Sequence, residues 1–204
     1  TISTYRLKDG KIDEGTIIKD MVGRELSNLF PEREHRVKEK IVFEIKNWTV
    51  YHPINTERRI VDDVNIYVKQ GEIVGIAGLM GAGRTELAMS VFGKSYGKNI
   101  SGQLFKDGRE VSFNHVDEAI QNGVAYVSEN RKEYGLILID SIKNNLTLAN
   151  LKQISSNNVL HTSKEILEAE SIKKRMNIKA PSIEQKTANL SGGNQQKVVL
   201  GKWI

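Results

Sequence analysis

The chain has 204 residues, with 30 Lys+Arg against 25 Asp+Glu, a formal net charge of +5, 39% apolar residues and no cysteine. That describes one folded domain, or one and a piece, with enough apolar material for a core, and it excludes a disordered chain. The lack of cysteine excludes a disulfide scaffold, a thiolate zinc site and a Cys nucleophile, and no apolar run reaches the ~18 residues of a membrane span.

Thr1-Ile2-Ser3-Thr4 carries neither the basic nor the apolar region of a signal peptide. Residues 4–7 read as a strand entering an Asp9-Gly10 turn, and a strand at this point is expected to have partners upstream. Residues 17–26 follow as a short helix, with Ile17, Ile18, Met21, Val22 and Leu26 apolar, broken at Phe30-Pro31. Residues 32–40 are almost wholly charged and read as a solvated linker.

The main domain is expected from Ile41. Residues 41–45 and 48–51 form a strand or strand pair, and 61–69 alternate as a half-buried strand. After a Gln70-Gly71 turn, residues 72–77 read as a short apolar strand buried in a sheet. A glycine-rich loop and a helix over 85–92 come next, then an Asp107-Gly108 hairpin within 102–113. A helix over 116–121 stops at Asn122-Gly123, and 124–127 read as a second buried strand. From 141 to 177 the apolar spacing is helical, interrupted by a polar loop at 155–158, and a last helix begins near Gln195. The order implies an α/β core with a helical insertion.

Two segments carry chemistry. Gly78-Leu79-Met80-Gly81-Ala82-Gly83-Arg84-Thr85 fits G-x-x-x-x-G-[K/R]-[S/T] between an expected strand and an expected helix. Glycines let backbone N–H groups turn inward onto a phosphate, the helix start adds partial positive charge, and the Thr85 hydroxyl can ligand Mg²⁺. Arg84 stands where lysine is usual; it keeps the charge but is planar and larger. The second segment is Leu190-Ser191-Gly192-Gly193-Asn194-Gln195-Gln196-Lys197. Ser191 is placed as a helix N-cap, and two bare glycines leave backbone donors open to an anion.

Together these segments resemble the nucleotide-binding domain of ATP-binding cassette transporters, with residues 78–85 as phosphate loop and 190–197 as signature. Met21-Val22-Gly23-Arg24-Glu25-Leu26, Leu29-Phe30-Pro31, Ser128-Glu129-Asn130-Arg131-Lys132 and the signature look like the second cassette of bacterial monosaccharide importers. Val50-Tyr51-His52-Pro53 and residues 91–97 look most like the xylose-type and multiple-monosaccharide branch.

The resemblance implies a P-loop NTPase core with an antiparallel β subdomain and a helical subdomain at about 135–190. It implies ATP and Mg²⁺ as ligands. The implied nucleotide-binding residues are Tyr51, stacking on adenine, then Gly78, Gly81, Ala82, Gly83, Arg84, Thr85 and Glu86. Glu129 takes the position of a glutamine that contacts Mg²⁺ and the attacking water, so Thr85 and Glu129 are the implied metal ligands. Leu190, Ser191, Gly192, Gly193, Asn194 and Gln195 would complete a nucleotide site on an opposing cassette. The implied partners are that cassette, membrane permease subunits contacted by the helical insertion and, indirectly, a periplasmic or extracellular sugar-binding protein. The implied location is peripheral, at the cytoplasmic face of the plasma membrane.

On this reading residues 1–31 are the tail of a preceding cassette, 32–40 a linker and 41–204 an incomplete second cassette. The family's catalytic carboxylate ends an apolar strand after the signature. Leu136-Ile137-Leu138-Ile139-Asp140 imitates that strand but lies before the signature and reads as core and loop. The 204 residues are therefore expected to bind adenine nucleotide weakly and not to hydrolyse it. A soluble, non-transport cassette ATPase is the alternative. A phosphate-loop kinase or GTPase fits neither the signature nor Arg84. Phosphate handling at two helix starts leaves the +5 charge with no need of a nucleic-acid partner.

Overall fold

The computed structural model describes residues 3–5, 13–22 and 36–204. Contacts within the chain divide it into two units, residues 1–37 and 38–204. In the first unit, α1 (Glu14–Val22) is entered through Asp13, whose carboxylate accepts from the Thr16 N–H at 3.1 Å. Asp20 accepts from the hydroxyls of Ser3 and Tyr5. The helix thus starts three residues before its expected beginning. The expected 4–7 strand beyond Tyr5, the Asp9-Gly10 turn, the helix beyond Val22 and the first part of the linker lie outside the described residues.

The second unit is built on a four-stranded antiparallel sheet in the order β2-β1-β3-β4. Its strands are β1 (Ile41–Tyr51), β2 (Arg59–Lys69), β3 (Lys98–Lys106) and β4 (Arg109–Val111). The two short strands expected at 41–51 are one long strand, bent by a register shift between Ile45 and Trp48. There Asn47 takes φ +50, and side chains replace the lost ladder bonds: Asn65 Oδ1 accepts from the Asn47 N–H at 2.9 Å, and Asn47 Nδ2 donates to Asp63 at 2.8 Å. Gly102 crosses this bend at φ +111, where a methyl would stand 2.7 Å from the Lys46 and Asn47 carbonyls. Asp107 and Gly108, both with φ > 0, make the expected β3–β4 turn.

One apolar core joins this sheet to α2 (Arg84–Val91): Ile45, Trp48, Val50, Val61 and Leu104 pack with Leu87, Val91 and Phe92. Trp48 Nε1 donates to the buried Ser90 hydroxyl at 2.9 Å, which itself donates to the Leu87 carbonyl at 2.8 Å. Phe113 and Ala119, the latter on α3 (Val116–Gln121), close the same core, and Trp203 meets Phe92 edge-on at 5.9 Å.

A second core gathers Ile142 and Leu146 of α4 (Ile142–Thr147), Ala169 and Ile172 of α5 (Thr162–Arg175), and Val198 and Val199 of α6 (Gly192–Gly201). Ser141 caps α4 by accepting from the Asn144 N–H at 3.1 Å. Buried Asn145 uses its whole amide: its oxygen accepts from Ile137 N–H, and its nitrogen donates to the carbonyls of Ile137 and Ser141 and to Thr187 Oγ1. This pins residues 136–141 as loop around buried Leu136, not as a strand, as the sequence reading expects. The polar loop at 155–158 is a small hairpin, β5 (Ser155–Ser156) and β6 (Val159–Leu160), turning through Asn157 and Asn158 with φ > 0.

The expected buried strands at 72–77 and 124–127 need correction. Both segments lack ladder partners, and Ile73 and Ile76 are 83% and 50% exposed. A strand is stabilised by its neighbour, and these two pair neither with each other nor with the antiparallel sheet. Ile73 and Ile76 therefore stay exposed, whereas Val124 and Tyr126, though unpaired, are partly buried against the first core. Among the described residues every ladder is antiparallel, and no helix is long and apolar enough to cross a membrane.

Candidate nucleotide site

The loop 78–83 runs directly into α2. Gly81 and Gly83 hold φ +79 and +81, and Gly83 occupies the N-cap position without a side chain. Close packing adds a second reason for glycine at 83, because an added methyl would stand 2.6 Å from the Ile60 carbonyl oxygen of β2. The loop is thereby fixed against the sheet. The Leu79 carbonyl accepts from Ala82 N–H at 3.1 Å and, at a long 3.5 Å, from the Arg84 guanidinium. Gly78 sits under Ala82 and the Arg84 side chain, 3.2 and 3.5 Å from where its Cβ would be. Exposed Arg84 thus lies back over the loop, and the first N–H groups of α2 carry its partial positive charge.

Thr85 Oγ1 and Glu129 Oε2, the two implied metal ligands, lie 3.4 Å apart. Two adjacent ligands on one octahedral Mg²⁺ at ~2.1 Å would stand ~3 Å apart, so this oxygen pair suits the hard cation. No cluster of three or more His, Cys, Asp or Glu able to hold a metal occurs among the described residues. One carboxylate and one hydroxyl, with substrate phosphates supplying further oxygens, is the arrangement Mg²⁺ tolerates. A cavity of about 720 Å³ adjoins the pair, lined by Thr85, Met89, Tyr96, Tyr126, Glu129 and Arg131 among others. Burial, and then the Glu129 and Glu86 carboxylates, push the Tyr126 hydroxyl above its usual pKa.

Tyr51 ends β1 half-buried, paired across the ladder with Arg59. Ile60, next to Arg59, carries the carbonyl that Gly83 faces, so the strand paired with Tyr51 is the one that touches the 78–85 loop.

The signature begins α6 as expected, with one difference. Ser191 is the N-cap by position, and its carbonyl accepts from Gln195 N–H at 2.9 Å. Its hydroxyl caps no backbone N–H; it accepts from Asn194 Nδ2 at 3.1 Å. Asn194 Oδ1 in turn accepts from Lys179 N–H at 3.0 Å, fixing the helix start to the preceding loop. Gly192 and Gly193 are exposed, Leu190 is buried in the second core, and buried Gln195 donates to the Thr187 carbonyl at 3.2 Å.

The sequence reading missed what joins the two glycine-rich starts. Residues 131–135 form a single π-helical turn, begun by Asn130, whose side chain accepts from the N–H groups of Lys132 and Glu133. That turn lies on α6. Lys202 donates to the Gly135 carbonyl at 3.0 Å, Arg131 Nε reaches Gln195 Oε1 at 3.5 Å, and a methyl at Gly192 would meet Arg131 Nη2 at 2.9 Å. The path from Thr85 to the signature is therefore Glu129, Asn130, Arg131 and Gln195. The Ser-Glu-Asn-Arg-Lys run holds its residues, but nothing in one-dimensional spacing connects them to Gln195.

Among curated proteins, the L-arabinose transport ATP-binding protein AraG of Geobacillus stearothermophilus is 53% identical over all of this chain, which spans 40% of that protein. The xylose import ATP-binding protein XylG of Moorella thermoacetica is 48% identical over 99% of the chain and 39% of its own length. The ribose import ATP-binding protein RbsA of Bacillus subtilis is 39% identical over the whole chain and 39% of its own length. The chain thus spans about two fifths of these relatives. Among solved structures, a nucleotide-free ATP-binding cassette from an ABC transporter superposes with a TM-score of 0.64 at 18% identity, over 79% of this chain and 64% of that one. The ADP conformation of another ATP-binding cassette of an ABC transporter gives 0.62 at 17% identity, over 80% and 64%. These two show the fold. The family model described as ABC transporter matches residues 61–204, both glycine-rich helix starts included, and the chain belongs to that family.

Proposed function

We propose that this chain is the nucleotide-handling part of a monosaccharide importer, binding Mg-ATP at residues 78–85 and offering its signature to an opposing cassette. The observation that carries the reading is the loop itself: two glycines at positive φ open the start of α2, with the Thr85 and Glu129 oxygens beside it. The sugar-import names of relatives aligned along the whole chain support the transport role.

In this reading the α2 N-terminus and Arg84 neutralise the phosphates, Tyr51 stacks on the adenine, and Glu86 lies on the helix turn beneath them. Thr85 and Glu129 would hold Mg²⁺, which when bound screens the charge between nucleotide and carboxylate. Glu129 adds negative charge where a neutral amide is usual, and Arg84 replaces a compact ammonium; both changes favour holding nucleotide over turning it over. Residues 190–195 would complete the opposing cassette's site, where hydrolysis is concentrated. The second apolar core, roughly residues 135–190 with α6, forms the helical subdomain that would meet the membrane permease at the cytoplasmic face. A sugar-binding protein would act through that permease.

Calorimetric titration with Mg-ATP tests the binding step. Binding is expected, with Arg84→Ala and Thr85→Ala each weakening it about tenfold or more, as for loss of a charge-assisted contact worth ~1.5–3 kcal/mol. Unchanged affinity in both variants would sink the assignment of the loop. Recovery with ribosomes or DNA in place of a membrane permease would support the non-transport alternative.

A further inference from the structure

Arg59 is assigned nothing by the phosphate-loop or signature patterns. Its Nε donates to the Tyr51 hydroxyl at 3.1 Å, and its Nη1 donates to both Asp62 oxygens, at 2.9 and 3.2 Å. The side chain is therefore held at two points, one across the ladder and one along β2. Its guanidinium carbon also stands over the Tyr51 ring, 5.8 Å from the ring centre, a cation–π contact that further ties the two side chains together. Tyr51 and Arg59 form the last rung of the β1–β2 pairing, where an untethered aromatic can exchange between staggered rotamers. The next carbonyl, that of Ile60, meets Gly83 of the phosphate loop.

We propose that Arg59 is a positioning residue for the nucleobase: braced by Asp62, it fixes the Tyr51 ring as a platform across the ladder from the strand that touches the phosphate loop. A tyrosine that must stack on a base loses rotamer freedom on binding; a ring tethered beforehand has already lost it. Arg59 needs no contact with phosphate in this role. It acts on the base only through Tyr51. Lysine in its place would keep the charge but lack the planar fork that grips Tyr51 and Asp62 together.

The proposal rests on the nucleotide reading, and the test separates the two. The whole chain is titrated with Mg-ATP and with magnesium tripolyphosphate, which has the phosphates and no base. Arg59→Ala is expected to weaken Mg-ATP about three- to tenfold, the range of one lost hydrogen bond, and to leave tripolyphosphate unchanged. Arg59→Lys should not restore the loss. Tyr51→Phe, which keeps the ring and removes the hydroxyl, should reproduce most of it, and adding Arg59→Ala to Tyr51→Phe should cost little more. Urea midpoints confirm that each variant is folded; Arg59 is exposed, so little change is expected there. Equal weakening of both ligands, or full rescue by lysine, overturns the proposal in favour of a general charge effect. Unchanged Mg-ATP affinity in Arg59→Ala, with Tyr51→Ala still weakened, overturns it while leaving the nucleotide reading intact. Failure of the unaltered chain to bind either ligand overturns both.

Discussion

Adding one methyl at Gly83 or at Gly81 separates two reasons for a glycine. Both residues have φ near +80°, so alanine at either pays about 1–2 kcal/mol for the left-handed backbone. At Gly81 nothing lies within 4 Å of the new methyl, and strain is the whole effect. At Gly83 the methyl stands 2.6 Å from the Ile60 carbonyl oxygen, short of an ordinary C···O contact by about 0.7 Å. That oxygen belongs to β2 and cannot swing aside as a side-chain tip would. Overpacking of this kind adds about 1–3 kcal/mol, for a total of about 2–5 kcal/mol. Because the clash also pushes the loop off the sheet, Gly83→Ala should lose Mg-ATP binding beyond its loss of stability. Urea unfolding of both variants, with calorimetric titration of the folded protein, reads the two effects. Equal destabilisation by the two substitutions would falsify the idea that contact with β2 fixes the loop.

Ser90→Ala strands the buried Trp48 Nε1 and should destabilise by about 1–3 kcal/mol; in a Trp48→Phe background urea unfolding should show the loss shrink to below about 1 kcal/mol. Gly192→Ala collides only with the flexible end of Arg131, so stability should change by less than about 1 kcal/mol, while amide exchange over 131–135 rises; Gly193→Ala, with open space around it, should leave that exchange alone. The ammonium groups of Lys40 and Lys106 hold the Asp107 carboxyl at about 2 against an ordinary 3.8. The contribution of Asp107 is therefore complete above pH 3.8 and disappears as pH falls through about 2, so the urea midpoints of the parent and Asp107→Asn should differ at pH 7 and converge near pH 2.

Much of this was readable in one dimension because local geometry dictated it. Gly81 and Gly83 had to be glycines at positive φ, Asp107-Gly108 had to turn, and the alternation from Val61 to Lys69 had to be a half-buried strand. What escaped was whatever depends on a distant partner. Residues 72–77 have the composition of a strand, but a ladder needs a neighbour, and composition does not supply one. Asn145 drew no reading from the sequence, because its burial depends on four bonds to Ile137, Ser141 and Thr187. Arg131 and Gln195 are 64 positions apart, and only the π-helical turn brings them together. Arg59 lies ahead of the strand expected at 61–69, and only the β1–β2 register sets it opposite Tyr51.

The exposed run at 73–77 bears on how the molecule behaves in company. From Ile73 to Gly83 there is no charged side chain, and Ile-Val-Gly-Ile-Ala offers unpaired backbone and β-branched side chains to solvent. Such an edge templates pairing with its own copies. What opposes it is mutual repulsion from the +5 charge, which salt screens and which vanishes near the pI of about 9.3. Colloidal stability should therefore be greater at low ionic strength and fall as pH rises from 7 toward 9.3. Light scattering should rise first with added salt or alkali, well before the two apolar cores unfold.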